Sequence, residues 1–256
     1  MSDPLAGLIP GGPELDKDTG KALQQVLKHL RRATYDVDDL AQFLAFAMPL
    51  APQSKAQLFQ DLWALWVSGQ KREGFFVEFG AASGVALSNT YFLEKQMGWT
   101  GVLAEPNPSF AASLAEHRNC TVSSRCVYSV SGQRLNFLAA PVGEYSRIEA
   151  IAPGDSHEQS QRADAEHITV ETISLNDLLV ETGAPEQIDF LSIDTEGSEL
   201  EILEAFDFDR WRIGAIAVEH NRTPARRGLY RLLTGKGYRR MWTAFSRWDD
   251  WYVLAS

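Results

Sequence analysis

FVEFGAASG, residues Phe76 to Gly84, is the stretch from which the rest of the chain can be read. An apolar run interrupted by one carboxylate, Glu78, gives way to two glycines, Gly80 and Gly84. In a parallel sheet this is the text of a first strand running into a glycine turn, at the edge where strand order reverses and a ligand can sit. From Gly74 onward short apolar runs alternate with helical stretches, the signature of crossover units and an α/β architecture. The expected strands are FFVEFG, TGVLAEP, CVYSV as the third, IDFLSID and IGAIAVEH. The end differs, because GYRRMWTAF and WDDWYVLAS are joined by only a few polar residues and read as a closing antiparallel hairpin.

Ahead of that region, residues 1–20 are rich in Gly, Pro and Asp and read as a loose tail. KALQQVLKHLRR and AQLFQDLWALWVSG each place leucines on one stripe, so residues 21–73 read as an N-terminal helical cap on a main domain at 74–256. The polar stretch from Gly143 to His167 is too long for an ordinary connection; it reads as a mobile loop, either a lid over a site or an insertion.

With 256 residues, of which 45% are hydrophobic, the chain can bury the core of one globular unit. A net charge of -10 argues against binding nucleic-acid backbone or an anionic membrane. The stretch from Arg210 to Arg247 runs the other way, with ten basic residues against Glu219 alone, and reads as a solvated helix face or a dock for an anionic substrate or partner. Cys120 and Cys126 make neither a disulfide framework nor a zinc ligand set. No apolar run approaches a membrane span, and the acids near the start do not suit a signal peptide, so the expected location is the cytoplasm.

The spacing E-x-G-x-x-x-G departs from the G-x-G-x-x-G of a pyrophosphate cradle, with Ala82 where the middle glycine would stand. An acid before the turn suits a cationic ligand, and S-adenosylmethionine carries both a sulfonium and an ammonium group. Glu105 closes the second strand, 21 residues after Gly84, where a carboxylate can accept hydrogen bonds from both hydroxyls of an adenosine ribose. Ala81, Ser83 and Pro106 belong to the same two turns, and Tyr128 and Ser129 at the end of CVYSV would face the adenine.

IDFLSIDTEGSELEIL gathers the most acids. Glu199 reads as a helix N-terminal acid satisfying free N–H groups, whereas Asp194 and Glu196 should project above the carboxyl edge of the sheet beside the transferable methyl group. VEHN brings Glu219 and His220 to the same edge, where His220 or Asp194 would act as a general base. Asp194, Glu196, Glu219 and His220 could equally hold a divalent cation that lowers the pKa of a substrate hydroxyl; spacing does not separate the two.

Taken together these residues resemble the FkbM family of S-adenosylmethionine-dependent methyltransferases, from AQLFQDL through GFFVEFGAASGVALSNTYFLEKQMGWTGVLAEPNP to TISLNDLL and IDFLSIDTEGSELEIL, roughly two thirds of the chain. The resemblance implies a Rossmann-like class I methyltransferase fold with a seven-stranded sheet. It also implies transfer mostly to hydroxyl oxygens of sugars or polyketide-type natural products, some relatives acting on peptide amide nitrogen instead. Carried over, it sets Glu78, Gly80 and Gly84 at the amino-acid end of the cofactor and Glu105 at the ribose. Gln60 and Asp61, in the segment that also holds Gln57, would close over the methionine end, with Ser88 and Asn89 flanking the pocket. The turn GAASG departs from the family, in which many relatives carry a polar or acidic residue there. The rival reading is a non-catalytic adenosyl-ligand-binding protein, and the acceptor, glycoside, small molecule or peptide, stays open, as does a homo-oligomeric state.

Overall fold

The structure is a computed structural model and describes residues 37–140, 146–151 and 165–255. The expected tail, the helix expected at KALQQVLKHLRR and most of the candidate lid lie outside the described residues.

Two helices come first, α1 (Val37–Ala47) and α2 (Gln60–Val67). The alternating region then gives β1 (Phe75–Phe79), α3 (Tyr91–Met97), β2 (Thr100–Ala104), α4 (Ala111–His117) and β3 (Thr121–Ser123). After these come β4 (Cys126–Tyr128), β5 (Arg134–Ala139), β6 (Arg147–Ile148), β7 (Glu166–Ser174) and α5 (Leu175–Glu181). The chain closes with β8 (Gln187–Ile193), α6 (Glu199–Glu204), β9 (Arg212–Glu219), α7 (Ala225–Gly235), β10 (Tyr238–Met241) and β11 (Asp249–Leu254).

The main sheet has seven strands in the order β10-β11-β9-β8-β1-β2-β3. β1 pairs in parallel with β2 on one side and β8 on the other, so strand order reverses at β1 as in other Rossmann-like sheets. The last two strands form the expected hairpin, and β11 runs antiparallel to both β10 and β9.

Both faces of this sheet are covered, which is why its central strands read as near-continuous apolar runs. Val77, Phe79, Leu191, Ile193, Ile216 and Val218 pack on one side with α5, α6 and α7. Phe76, Leu103, Phe190, Ala215, Ala217 and Trp251 pack on the other with α1, α2, α3 and α4. The segment before β1 is thus seated on the sheet: Trp63 of α2 stacks on Trp251 of β11 at 5.0 Å between centroids.

CVYSV is not the third strand of the main sheet. That place belongs to Thr121–Ser123, an edge strand of three residues paired only with β2, too short and too exposed to leave a hydrophobic period. Cys126–Tyr128 instead opens a second sheet of four strands in the order β4-β7-β5-β6, around a small core of Cys126, Phe137, Ile148 and Val170. The polar stretch expected as one loop also contributes to this sheet: Arg147–Ile148 is β6, and Glu166 and His167 open β7.

Candidate functional site

A cavity of about 430 Å³ opens at the carboxyl ends of β1, β2, β8 and β9. The turn after β1 forms its base. Gly80 N donates to Ala104 O at 3.2 Å and Asp194 N donates to Phe79 O at 3.2 Å, so three strand ends are tied together beneath the opening. Gly80 has φ +77°, and a Cβ there would lie 1.7 Å from Asp194 O; the residue is glycine because two backbones touch. Gly84, at φ +73°, is outside the cavity lining: a Cβ there would meet Leu114 of α4 at 2.6 Å and Arg118 at 3.1 Å, so it serves packing.

Glu78 lines the cavity, but its carboxylate is engaged on the protein side. It accepts hydrogen bonds from Ser88 Oγ at 3.0 Å, from Asn89 N at 2.7 Å and from the Thr90 hydroxyl. The buried Arg118 stands 3.7 Å from it, and the same guanidinium binds Glu94 at 2.8 Å, Gly84 O at 3.0 Å, Ser88 Oγ at 3.1 Å and Thr90 Oγ1 at 2.8 Å. Glu78 therefore holds residues 88–90 in place while also lining the cavity. Asn89 donates from Nδ2 to Ser192 Oγ at 2.9 Å, while its Oδ1 is buried at the cavity wall with no partner among the described residues.

Glu105 stands on the opposite wall. Its Oε2 accepts from Ala82 N and its Oε1 from Asn107 N, each at 2.8 Å. Burial pushes its carboxyl up to about 7 against the pull of those two N–H groups. Each oxygen keeps a lone pair free to accept a further hydrogen bond. Ala81 and Pro106 line the cavity beside it. Ser83 does not: its hydroxyl turns back to Ala86 N at 3.2 Å and its carbonyl accepts from Ser113.

Of the acids and imidazole expected together, Asp194, Glu196 and Glu219 converge, with one ligand atom from each within 4.8 Å of the others. Glu196 takes a left-handed backbone, φ 57°, which turns it toward the opening. Burial drives the Glu219 carboxyl well above the usual range, and the negative charges of Asp194, Glu196 and Glu199 add to it, as does a hydrogen bond to Asp194. Glu199 stays out of the group: its Oε1 accepts from Thr195 N at 3.0 Å and Gly197 N at 2.9 Å, closing the turn before α6 as a helix-start acid does.

His220 does not join them. Side chains alternate along β9, so His220 faces away from Glu219 and is outside the cavity lining. Its Nδ1 accepts from Arg222 N at 2.9 Å, and its Nε2 lies 3.7 Å from the buried Asp250. Burial lowers its pKa, with Asp250 pulling the other way. Ser129 is not part of the lining either; β4 presents Cys126 and Val127, and the Tyr128 hydroxyl donates to Glu201 on α6 at 2.5 Å. Gln60 does line the cavity, donating to Asp249 Oδ2 at 2.7 Å, whereas Asp61 is buried beneath it, accepting from Ser54 Oγ at 2.7 Å and Leu62 N at 2.7 Å.

A family model, the methyltransferase FkbM domain, matches residues 78–251. The chain belongs to that family. The matched span starts at Glu78 and takes in Glu105, Asp194, Glu219 and Asp249, so the FkbM domain contains the whole polar lining except Gln57 and Gln60. No curated protein matches the sequence. Among solved structures the chain is similar to a precorrin-6y C5,15-methyltransferase from Geobacter metallireducens GS-15, at 17% identity and TM-score 0.39, covering 71% of each chain. It is also similar to a fibrillarin/Nop5p complex, at 11% identity and TM-score 0.35, covering 77% of this chain and 79% of that one.

Several lining residues of this FkbM domain were not singled out by the sequence, although Arg222 lies in its basic stretch. Trp248 comes from the β10–β11 connection, Asp249 from the first position of β11, Asn221 and Arg222 from the turn after β9, Phe137 and Ile148 from the second sheet, and Ser146 from the position before β6. Burial raises Asp249 to about 6, with Gln60 drawing it down. Alternation along β11 would have placed Asp249 opposite Glu219, its Cα partner, had the pairing register been known.

Proposed function

We propose that this methyltransferase uses S-adenosylmethionine and transfers its methyl group to a hydroxyl oxygen of a small molecule such as a sugar or polyketide-type product. The observation that carries the reading is Glu105. It is a buried carboxylate, braced by two backbone N–H groups and opening into the cavity beside the Gly80 turn, where a ribose diol finds two acceptors. The residues present fit the rest of the cofactor: Asn89 Oδ1 offers an unclaimed buried acceptor to an ammonium group, and Ala81, Ala82, Pro106 and Val127 offer apolar surface. The cavity volume lies in the usual range for small-ligand sites.

When bound, the cofactor supplies an electrophilic methyl group. The chain contributes position, exclusion of water and a proton acceptor. In this reading Asp194 rather than His220 takes the proton of the acceptor hydroxyl, because Asp194 lines the cavity beside Glu196 and Glu219 and His220 does not. Gln60 and Asp249 close the side of the cavity toward α2.

A second reading, favoured by the convergence of Asp194, Glu196 and Glu219, is metal assistance. Three carboxylates suit a hard divalent cation, which would lower the pKa of the acceptor hydroxyl. The first experiment is calorimetric titration with S-adenosylmethionine and S-adenosylhomocysteine, with NADH as control, followed by transfer of labelled methyl to acceptor pools with and without exhaustive chelation. Binding of the adenosyl ligands alone is the expected result, and NADH binding or no binding overturns the reading. Activity that survives chelation excludes the metal.

A further inference from the structure

Arg222 is the only lysine, arginine or histidine among the described residues that line the cavity, where it faces the carboxylates Glu78, Glu105, Asp194, Glu196, Glu219 and Asp249. We infer that Arg222, laid against Trp248 at the rim, receives a carboxylate or phosphate group of the methyl acceptor, so that the acceptor is an anionic small molecule. The inference rests on the methyl-transfer reading above and adds the charge of the substrate to it.

The first support is how the side chain is held. Its guanidinium lies 5.2 Å from the centroid of the Trp248 ring, whose position is also shared by Arg247 at 4.8 Å. An aromatic contact occupies the face of a guanidinium and leaves its in-plane N–H groups to fork onto an oxyanion. No carboxylate among the described residues makes an ion pair with Arg222. Its neighbour Arg226 is used differently, giving Nε at 3.0 Å and Nη2 at 2.7 Å to the buried Asp250.

The second support is the backbone. Asn221 and Arg222 both take left-handed conformations, φ 40° and 58°, which side-chain-bearing residues adopt at a cost. The turn is held there by His220, whose Nδ1 accepts from Arg222 N at 2.9 Å and whose carbonyl accepts from Thr223 N at 2.8 Å. His220 is 2% exposed, so this anchor is part of the core. Its place in the molecule is that of a positioning residue: it aims Asn221 toward Glu196, at 3.4 Å, and Arg222 toward the rim.

The third support is electrostatic. An anionic acceptor entering this cavity, with its six carboxyl groups, meets a cationic side chain among the described lining residues only at Arg222. Its charged end is thereby kept at the rim, and its hydroxyl is left to point inward toward Asp194. Acceptor orientation follows from one cation set among many anions.

The test is nitrogen-15 NMR of the arginine Nε–Hε groups in the full chain saturated with S-adenosylhomocysteine. It is titrated with sodium phosphate against sodium chloride at equal ionic strength, and the Arg222 signal is identified by its loss in Arg222→Lys. The expected result is a saturable shift of Arg222, several-fold larger than that of the exposed Arg227. No saturable shift overturns the proposal, and an equal shift at Arg227 marks an adventitious ion only and overturns it too. A shift in the free protein that S-adenosylhomocysteine abolishes assigns Arg222 to the carboxylate of the cofactor and overturns the acceptor assignment. Failure of S-adenosylhomocysteine to bind is a separate result and sinks the underlying reading instead.

Discussion

The carbonyl oxygen of Asp194 occupies the space in which Gly80 would carry a side chain, 1.7 Å from an ideal Cβ. The floor of the cavity is therefore a contact between the end of β8 and the turn after β1. Gly80→Ala must push those strand ends apart at a left-handed residue and is expected to cost about 3 kcal/mol or more. The apparent affinity for S-adenosylhomocysteine should fall with it. Gly132→Ala is the control: φ is +76°, with nothing within 4 Å of the added Cβ, so only the backbone term of about 1 kcal/mol applies. Thermal unfolding and calorimetric titration of both variants check this, and equal losses would refute the contact argument.

Arg118 is the centre of a buried charge network rather than a surface ion pair. Its removal leaves Glu78 without its cation and Glu94 with Lys95 alone, and takes a donor from Gly84 O, Ser88 Oγ and Thr90 Oγ1. Arg118→Met is expected to cost about 3–5 kcal/mol. For a chain of this size that corresponds to a fall in Tm on the order of 10 °C. Denaturant unfolding is the measurement, and a variant as stable as the parent would show that the network contributes nothing net.

The same network sets acid sensitivity. Although partial burial acts to raise the Glu94 pKa, hydrogen bonds from Lys95 and Asn119 and the Arg118 charge outweigh it and hold the carboxyl down at about 2. A carboxyl depressed in the folded state stabilises it above the ordinary Glu range, near pH 4.5, and that contribution is lost as pH falls from there toward 2. Unfolding free energy should drop over this window by roughly 2–3 kcal/mol more in the parent than in Glu94→Gln. Parallel slopes in the two proteins would remove the assignment.

Glu105 carries the opposite sign. With its carboxyl raised to about 7 by burial, the ionised form that the proposed ribose contact requires is present above that pH and is lost below it. Affinity for S-adenosylhomocysteine should weaken as pH falls from 8 to 6, by roughly tenfold for each unit below the free-protein pKa. Glu105→Gln should bind more weakly and show no such slope. A wild-type affinity that is flat with pH would rule out a titrating ribose acceptor.

At the reacting end, Asp194→Asn should lower turnover by about 10²–10⁴, with a much smaller change in the affinity for S-adenosylhomocysteine. His220→Gln, by contrast, should keep the rate of proton transfer and change the KM of the acceptor, because His220 acts through the Arg222 turn. A large fall in kcat for the His220 variant with an unchanged KM would return it to the role of base.

Much of the main sheet was legible in the sequence because its strands are buried on both faces. FVEFG, IDFLSID and IGAIAVEH stand out as apolar runs, and Glu78, Gly80, Asp194 and Glu219 near their ends reach the cavity, whereas His220 does not. The closing hairpin was legible from its short polar connection. β3 and the second sheet were not. Thr121–Ser123 buries too little to leave a period, and the alternation in Glu166–Ser174 was overshadowed by the polar stretch before it.

Local pattern fixes which residues end each strand, and so it puts Glu78, Gly80, Glu105, Asp194 and Glu219 near the sheet's reversal point. Tertiary structure alone decided which way those residues face and what comes to meet them. Alternation turns His220 into the core while its neighbour Glu219 lines the cavity, and antiparallel pairing brings Asp249 from 30 positions away to stand beside Glu219. Packing of α2 against β11 sets Gln60 on Asp249 at 2.7 Å. Register and packing act between segments distant in sequence, so no local pattern records them.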